Sequence, residues 1–415
     1  MVRDRRSLVL ACALAACGTR AITGDASPGA IDASITDAVP RPDAAPGSVR
    51  DKARTLALHL TGRPDFMIGV GNDNAGPYSH QVAIDLHYAY LNGWGDVDGW
   101  PTWNASGEYP AIFARTADQH AVAPWFTYYQ LALELENGNP GVLTDDGRMR
   151  QYLGDWKLLL GKLATFDRPA IISVEPDFFG YFEQQVRTTG VPPSQVAAHL
   201  RFADLHDCDA EPETVVGLTN CLIDMTRAIA PKVRIGFHAS RWGAWYDELD
   251  PAADIEGSAR EVGDFLIALG ADRTDFVAIE TLDRDAGFWE TSGGGATCSI
   301  TGGSRGAVYW DEQNQTLPNF DQHLRWVSAL TARLGLPALW WQTPLGRPAT
   351  TCGGASGHWR DSRVHYFFTH TVDLVDAGGA GMAFGTGAGG QTTLATDGDQ
   401  LKDFAQAYRA APIGL

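Results

Sequence analysis

Short apolar stretches alternate with longer amphipathic stretches along most of this chain. Eight runs of four or five residues are nearly continuous in apolar side chains and are bounded by turn residues, a pattern typical of strands buried on both faces of a parallel sheet. These runs are Phe66–Val70, Tyr88–Leu91, Trp125–Tyr129, Ala170–Val174, Val233–Phe237, Phe276–Ile279, Ala338–Trp341 and Gly381–Phe384. Helical spacing of apolar residues occurs between several of them, in Arg150–Leu163, Thr214–Ile229, Ser258–Leu269, Gln322–Leu334 and His365–Val375.

The alternation of strands and helices predicts parallel pairing of the strands. Eight such units predict an α/β fold of the (β/α)8 TIM-barrel type. The second unit is the weakest, because little room for a helix lies between Val70 and Tyr88, so a distorted or seven-stranded barrel is the alternative. A doubly wound sheet is less favoured, since no glycine-rich fingerprint follows the first strand. Residues 51–415 provide enough chain for one barrel domain with long loops.

The N-terminal residues predict export. Three arginines among the first six residues precede an apolar run, Leu8–Ala16, that is too short to span a bilayer and has the features of a secretory signal. The segment Leu14-Ala15-Ala16-Cys17 resembles the bacterial lipobox, in which the cysteine is lipidated and becomes the new N-terminus. We therefore expect residues 1–17 to be a lipoprotein signal peptide with Cys17 as the lipid anchor. An ordinary cleaved signal peptide is the alternative.

Residues 18–50 are rich in Ala, Asp, Pro, Ser and Gly, a composition that predicts a flexible linker. The formal net charge of −18 argues against nucleic acid as a partner, because phosphate binding needs clustered Lys and Arg. We therefore expect a monomeric, exported lipoprotein at the bacterial outer membrane or cell surface. Its contact with the membrane is predicted to be the lipid anchor only.

Four cysteines remain beyond the signal segment: Cys208, Cys221, Cys298 and Cys352. An even number in an exported protein predicts two disulfides. Sequence order favours Cys208–Cys221 and Cys298–Cys352, although four cysteines allow three pairings. A metal site is the weaker alternative, because the chain has no Cys-x-x-Cys and no tight group of Cys and His.

Active sites of TIM-type barrels lie at the C-terminal ends of the strands, and polar residues follow almost every predicted strand. Glu175 and Asp177 follow the fourth strand and Glu280 follows the sixth, and these three are the candidate catalytic groups. Alternation along an extended strand would place Glu175 and Asp177 on the same side. The candidate substrate-binding residues at the other strand ends are Asp73, Tyr129, His238, Arg241, Trp242, Trp341 and Gln342.

This set of carboxylates, amides, one arginine and several aromatic rings suits carbohydrate chemistry. Glycoside hydrolysis needs two carboxyl groups that flank the scissile bond, one to donate a proton and the other to attack the sugar or to activate water. Aromatic rings pack on the apolar faces of sugars, and His238 is expected to bind a sugar hydroxyl. Of the adjacent Trp340 and Trp341, one should face the barrel interior and the other the helices. Neither a metal nor an organic cofactor is expected.

The segment Ile171–Asp177, which reads Ile-Ile-Ser-Val-Glu-Pro-Asp, resembles the strand-end motif of glycoside hydrolase family 6. That family contains cellobiohydrolases and endoglucanases that cut β-1,4-glucan. The aspartate of its Glu-Pro-Asp is the general acid, and the resemblance therefore implies that Asp177 is the proton donor. Gly236–Trp245 is similar to the family's next strand and tryptophan-rich loop. The resemblance extends over about residues 150–285.

Two features of the family have no counterpart in this chain: an Arg-Asp-Cys segment after an earlier strand, and a proposed base near the last strand, where Phe384-Gly385 stands instead. The second carboxyl group is therefore chosen from the residues alone, as Glu280, with Asp73 and Asp361 as alternatives. We expect a surface-anchored glycoside hydrolase that cleaves O-glycosidic bonds of an extracellular, β-glucan-like polysaccharide. The alternatives are a non-catalytic glycan-binding barrel and a hydrolase of another exported substrate.

Overall fold

The computed structural model of this chain describes residues 47–71, 76–96, 98–136, 140–291 and 308–415. Eight parallel strands close into a barrel in which each strand pairs with the next along the chain and the last pairs with the first. This topology confirms the predicted (β/α)8 TIM-type fold, and the seven-stranded alternative is wrong. The barrel strands are β1 Met67–Gly71, β2 Leu86–Asn92, β3 Ala123–Tyr129, β4 Ala170–Val174, β5 Val233–Ala239, β6 Phe276–Ile279, β7 Ala338–Thr343 and β8 Gly379–Phe384.

Helices separate most of the consecutive strands. They are α1 Val49–Thr61, α2 Tyr109–Gln119, α3 Leu131–Glu136, α4 Asp146–Phe166, α5 Phe178–Thr189, α6 Val215–Ile229, α7 Ile255–Ala268, α8 Ala286–Thr291, α9 Phe320–Leu334, α10 Arg363–Thr369, α11 Thr371–Asp376 and α12 Gln400–Ala410. The helices predicted from periodicity are confirmed with shifted ends, except that the predicted helix His365–Val375 is divided in two at His370. Helices α1, α2, α3, α5, α8 and α12 were not predicted, and α1 begins just inside the expected linker.

The interior of the barrel is filled by aromatic rings. The ring of Tyr88 in β2 lies 6.0 Å from Trp125 in β3 and 6.2 Å from Trp341 in β7, measured between ring centroids. As predicted, one of the two adjacent tryptophans faces the interior, and it is Trp341. Trp340 faces the helices, where its indole N–H donates to Nε2 of His323 at 2.8 Å. Because the interior is packed, a substrate can approach only at the ends of the strands.

The connection between β1 and β2 departs from the strand–helix repeat. Its described residues, 76–85, form turns and irregular backbone rather than a helix. The buried Asp85 fixes the end of this connection, because its carboxylate accepts from the backbone N–H of Ile68 at 3.0 Å and pairs with Arg409 of α12 at 2.9 Å. In its described residues the second unit therefore has no helix, as the short spacing indicated, but it keeps its strand.

One of the two predicted disulfides is confirmed: Cys208 and Cys221 are bonded, with Cα atoms 5.3 Å apart. Cys352 is also a disulfide cysteine, and its predicted partner, Cys298, lies outside the described residues. The predicted signal peptide with Cys17 lies outside them too. In the part of the chain that the structure describes, no helix is long and apolar enough to cross a membrane.

Candidate active site

The C-terminal ends of the eight strands form one end of the barrel, which we call the mouth, and Glu280 lies there directly after β6. The pKa of Glu280 is raised to about 8, first because burial disfavours its charged form and then because Asp177 and Asp283 are negatively charged. The positive charge of Arg241 opposes this shift. Carboxylates change each other's pKa at short range, so Asp177 after β4 and Glu280 after β6 lie within electrostatic range of each other at the mouth. We call these two residues the acid pair.

The backbone turns sharply after β4. Glu175 has a φ of 53° and Asp177 a φ of 69°. Both values lie in the left-handed region, which residues other than glycine adopt only with some strain. The extended alternation that would place the two acids on the same side therefore does not apply. Asp177 lies beside Tyr129 at the end of β3, whose hydroxyl donates to Oδ2 of Asp177 at 3.4 Å.

Glu175 is turned away from the acid pair and towards the start of α3. Its carboxylate accepts from the backbone N–H groups of Gln130 at 3.0 Å, Leu131 at 3.1 Å and Ala132 at 3.3 Å. Burial raises the pKa of Glu175 to about 7, and these three hydrogen bonds oppose the shift. The side chain is 1% exposed. The geometry thus makes Glu175 a cap for α3 and corrects the expectation that it reaches the substrate.

Asp283 is a third acid near the pair, but it has a partner of its own. Its carboxylate forms an ion pair with Arg284, and the Arg284 guanidinium lies 5.4 Å from the ring centroid of Trp289. Burial raises the pKa of Asp283, and the charge of Arg284 opposes that shift. This ion pairing distinguishes Asp283 from Glu280, to which no described residue donates a hydrogen bond.

Tyr90 connects several of the predicted substrate-binding residues. Its hydroxyl donates to Oε1 of Gln342, whose backbone has a left-handed φ of 54°. Its ring centroid lies 5.4 Å from that of Trp341 and 6.1 Å from that of Tyr129. Tyr129, Trp341 and Gln342 therefore meet around a tyrosine that was not among the predicted site residues.

The electrostatic surroundings of Tyr90 keep its hydroxyl protonated. The pKa of Tyr90 is raised well above its ordinary value. Burial is the largest cause, and the charges of Tyr88, Asp177, Asp283 and Glu280 add to it. The hydroxyl is therefore neutral beside the acid pair, and its one proton is donated to Gln342. The sequence signal for it is the alternation in β2, since Tyr88 and Tyr90 are two residues apart and both face the interior.

His238 at the end of β5 also faces the interior. Its ring centroid lies 4.7 Å from that of Trp341, and its side chain is 4% exposed. Burial lowers the pKa of His238 to about 3, so the imidazole is neutral at ordinary pH. Its Nε2 has no hydrogen-bond partner among the described residues. A neutral imidazole with one free nitrogen suits the predicted role of binding a hydroxyl.

Arg241 and Trp242 follow β5 and lie at the flank of the mouth. Arg241 pairs with Glu248 at 2.9 Å, which satisfies much of its charge. The ring of Trp242 packs on Tyr181 of α5, with centroids 4.8 Å apart. Trp245, which ends the same loop, is 60% exposed and was not selected as a site residue. Its position in the tryptophan-rich segment Gly236–Trp245 was the sequence feature that could have indicated a role at the site.

Two other acids, Asp361 and Asp285, have structural partners. Asp361, the alternative to Glu280, is 1% exposed and forms a buried ion pair with Arg363. Asp285 accepts from the backbone N–H of Gly346 at 2.9 Å and of Thr392 at 2.7 Å. Neither carboxylate is available to a substrate, so Asp361 is a wrong alternative. Asp73 lies outside the described residues, and its role stays a prediction.

Comparison with known proteins gives remote similarity only. No family model and no curated protein matches the chain. Among solved structures, the virulence factor SghA from Agrobacterium tumefaciens is 13% identical, with a TM-score of 0.47 over 85% of this chain and 99% of that chain. The cellobiohydrolase Cel6A from Humicola insolens is 13% identical, with a TM-score of 0.32 over 60% of each chain.

A β-D-glucuronidase from Dictyoglomus thermophilum is 10% identical, with a TM-score of 0.44 over 85% of this chain and 52% of that chain. Another SghA structure contains the substrate analogue salicin. Glycoside hydrolases are therefore among the structural neighbours of this chain. The similarity to family 6 cellobiohydrolases is remote, and it assigns neither a substrate nor a site residue to this protein.

Proposed function

We propose that this protein is a glycoside hydrolase that cleaves a β-glucan-like polysaccharide, with Glu280 and Asp177 as its two carboxyl groups. The observation that supports this proposal is the acid pair itself. Glu280 is partly buried at the mouth, accepts no hydrogen bond from a described residue, and has a pKa raised to about 8 by burial and by Asp177. A perturbed carboxyl group beside a second carboxylate is typical of hydrolytic sites.

The raised pKa favours Glu280 as the proton donor. At neutral pH Glu280 keeps its proton and can pass it to the oxygen of the leaving sugar. Asp177, next to the hydroxyl of Tyr129, would then attack the sugar or activate a water molecule. This assignment reverses the one implied by the resemblance to family 6, in which Asp177 is the donor. The protons balance in both assignments. The donor carboxyl group passes its proton to the oxygen of the leaving sugar, and the water molecule that completes hydrolysis returns a proton to the carboxyl groups.

The surroundings of the acid pair suit a sugar. Tyr90 offers a hydroxyl oxygen that can accept a hydrogen bond, since its proton is donated to Gln342, and His238 offers a buried nitrogen that has no hydrogen-bond partner among the described residues. The rings of Tyr129 and Trp341 provide apolar faces next to these polar groups. Such a combination of apolar walls and a few placed polar groups is typical of carbohydrate and other small-molecule sites.

The test compares Glu280→Gln and Asp177→Asn on two substrates. One is soluble mixed-linkage β-glucan, and the other is a β-cellobioside with a dinitrophenol leaving group, which departs without protonation. Loss of a general acid lowers the rate about 10²–10⁴-fold. We expect E280Q to show this loss on β-glucan but to keep much of its rate on the dinitrophenyl substrate. D177N should lose activity on both substrates, and the alkaline limb of the wild-type rate profile should lie near the pKa of about 8.

The control is Glu256→Gln, which removes a surface ion pair with Arg325 on the outside of the barrel and should leave the rates unchanged. The opposite pattern, with D177N rescued by the dinitrophenyl group and E280Q not, would exchange the two roles. Full activity in both variants contradicts the proposal. Binding of β-glucan without any release of sugar by the wild type would instead support a non-catalytic glycan-binding barrel.

We also propose that the enzyme is exported and held at the cell surface by a lipid on Cys17. The basic start, the short apolar run and the Leu-Ala-Ala-Cys segment support this. The linker of residues 18–50 would let the barrel reach polysaccharide away from the membrane. In cells, Cys17→Ser should move the protein from the membrane fraction to the soluble fraction and abolish labelling with radioactive palmitate. Unchanged labelling of that variant contradicts the anchor.

A further inference from the structure

The segment between Glu280 and α8 has an unfavourable backbone conformation. Leu282 has a φ of 99°, in a region that residues with a side chain rarely adopt. The segment begins directly after Glu280, and it contains Asp283, so its path decides where both carboxyl groups point. Such a conformation persists only when the surrounding structure holds it.

Arg363, the first residue of α10, supplies that restraint. Its Nη1 donates to the backbone carbonyls of Thr281 at 2.8 Å and Leu282 at 3.2 Å. Its Nη2 donates to the carbonyl of Arg284 at 2.9 Å. One guanidinium therefore binds carbonyls on both sides of the strained residue. With 1% of its side chain exposed, Arg363 makes these bonds in a dry environment, where they are strong.

Asp361 completes the restraint. Its Oδ1 accepts from Nε of Arg363 at 2.8 Å, and its Oδ2 accepts from the backbone N–H of Ala286 at 2.8 Å. The guanidinium and the carboxylate thus orient each other and hold the two ends of the segment 281–286. Both come from the chain that follows β7, far in sequence from β6.

We propose that Arg363 is a positioning residue that keeps Glu280 near Asp177 by holding the backbone from Thr281 to Arg284. This inference rests on the proposed function, because Glu280 is useful there only as one of the acid pair. Arg363 does not touch the substrate. Without its three hydrogen bonds the segment relaxes, and the Glu280 carboxyl group moves towards solvent.

A matched control lies three residues earlier in the chain. Arg360 also forms a buried ion pair, with Glu290, in which both side chains are 3% exposed. Its guanidinium donates to Glu290 and to the carbonyl of Ala349 at 3.4 Å, and it packs 4.2 Å from the ring centroid of Tyr309. These contacts do not include the backbone from Thr281 to Arg284. Breaking this pair disturbs the fold in the same way without releasing Glu280.

The experiment measures the pKa of Glu280 directly, by a ¹³C-carboxyl NMR titration of glutamate-labelled protein in which the signal is assigned with Glu280→Gln. The variants are Arg363→Lys, Arg363→Met and the matched Arg360→Lys and Arg360→Met. Lysine keeps the charge but cannot reach three carbonyls at once. In the Arg363 variants we expect the pKa of Glu280 to fall by about one unit or more towards its ordinary value, whereas the Arg360 variants keep it.

Lost positive charge alone would raise the pKa of a nearby carboxyl group, so a fall reports movement of Glu280. An unchanged value in folded R363K, or an equal fall in R360K, overturns the proposal. Failure of R363K to fold overturns it as well, since Arg363 would then be required for the fold itself. The titration needs no substrate, so its outcome is independent of the hydrolysis assay with E280Q. A lost rate in E280Q with an unmoved pKa in R363K would leave the function standing and reject the positioning role.

Discussion

Glu175 and Glu280 occupy equivalent places in the barrel, each directly after a strand that ends at the mouth, but their surroundings differ. The Glu175 carboxylate accepts from three backbone N–H groups at the start of α3. Glu280 accepts no hydrogen bond from a described residue and has the charges of Asp177 and Asp283 beside it. Burial raises the pKa of both, to about 7 for Glu175 and about 8 for Glu280.

The comparison shows that a raised pKa does not by itself identify a catalytic acid. Glu175 has a partner for its carboxylate, and its role is to stabilise the chain after β3. Glu280 has a second carboxylate for a neighbour, an arrangement that destabilises the fold when both are charged. A charged group that is held in an energetically unfavourable environment indicates a functional role, because stability alone does not explain it.

The largest effect that tests this contrast is on stability. Glu175→Ala leaves three buried N–H groups without an acceptor, at a cost of roughly 1–3 kcal/mol each, so the free energy of unfolding should fall by about 3 kcal/mol or more. Urea unfolding at pH 5 measures it. Glu280→Gln at the same pH should change stability by less than about 1 kcal/mol, because Glu280 is protonated there and the amide resembles the neutral acid. Equal losses in the two variants would remove the distinction.

A smaller effect concerns the pH dependence of stability. Glu280 has a folded pKa of about 8, above its unfolded value, so between about pH 5 and pH 8 the folded state binds more protons than the unfolded state. Ionisation of Glu280 therefore lowers the free energy of unfolding as the pH rises through that window, and this effect levels off above about pH 8. E280Q should gain stability relative to the wild type over this range, by about 3–4 kcal/mol between pH 5 and pH 8, since each pKa unit corresponds to about 1.4 kcal/mol.

Denaturant unfolding of both proteins at several pH values measures this gain. Subtracting the two curves removes the contributions of buried acids that do not interact with Glu280, among them Glu175 and Glu183, which have raised pKa values as well. A difference that stays constant between pH 5 and pH 8 would show that Glu280 is not held in an unfavourable environment. In that case the proposed acid would lose its main support.

Much of the fold could be predicted from the sequence. Strands such as β3 and β4 are buried along almost their whole length, which leaves a continuous apolar run in the sequence. The helices that were missed carry a signal too: in α5 the buried Phe178, Phe179 and Phe182 have helical spacing. Cys208–Cys221 was predictable because the two cysteines are close in sequence and separate from the other pair.

The site was predictable only in part. Asp177 and Glu280 were selected because they follow strands, and parallel strands end together at one mouth. The orientation of Glu175 was missed, because two left-handed residues follow β4 and reverse the alternation on which the prediction rested. Tyr90 was missed although its strand was found, and the restraint by Arg363 has no local signature, since its three acceptors lie about eighty residues away.

The barrel and the end at which polar groups collect follow from the chain alone, because strands that are buried on both faces and paired in parallel carry continuous apolar runs. The folded arrangement sets which acid is capped and which lies beside another carboxylate. The environment of a charged group is set by neighbours from other strands and by the direction of a turn, and neither is encoded in the residues on its two sides.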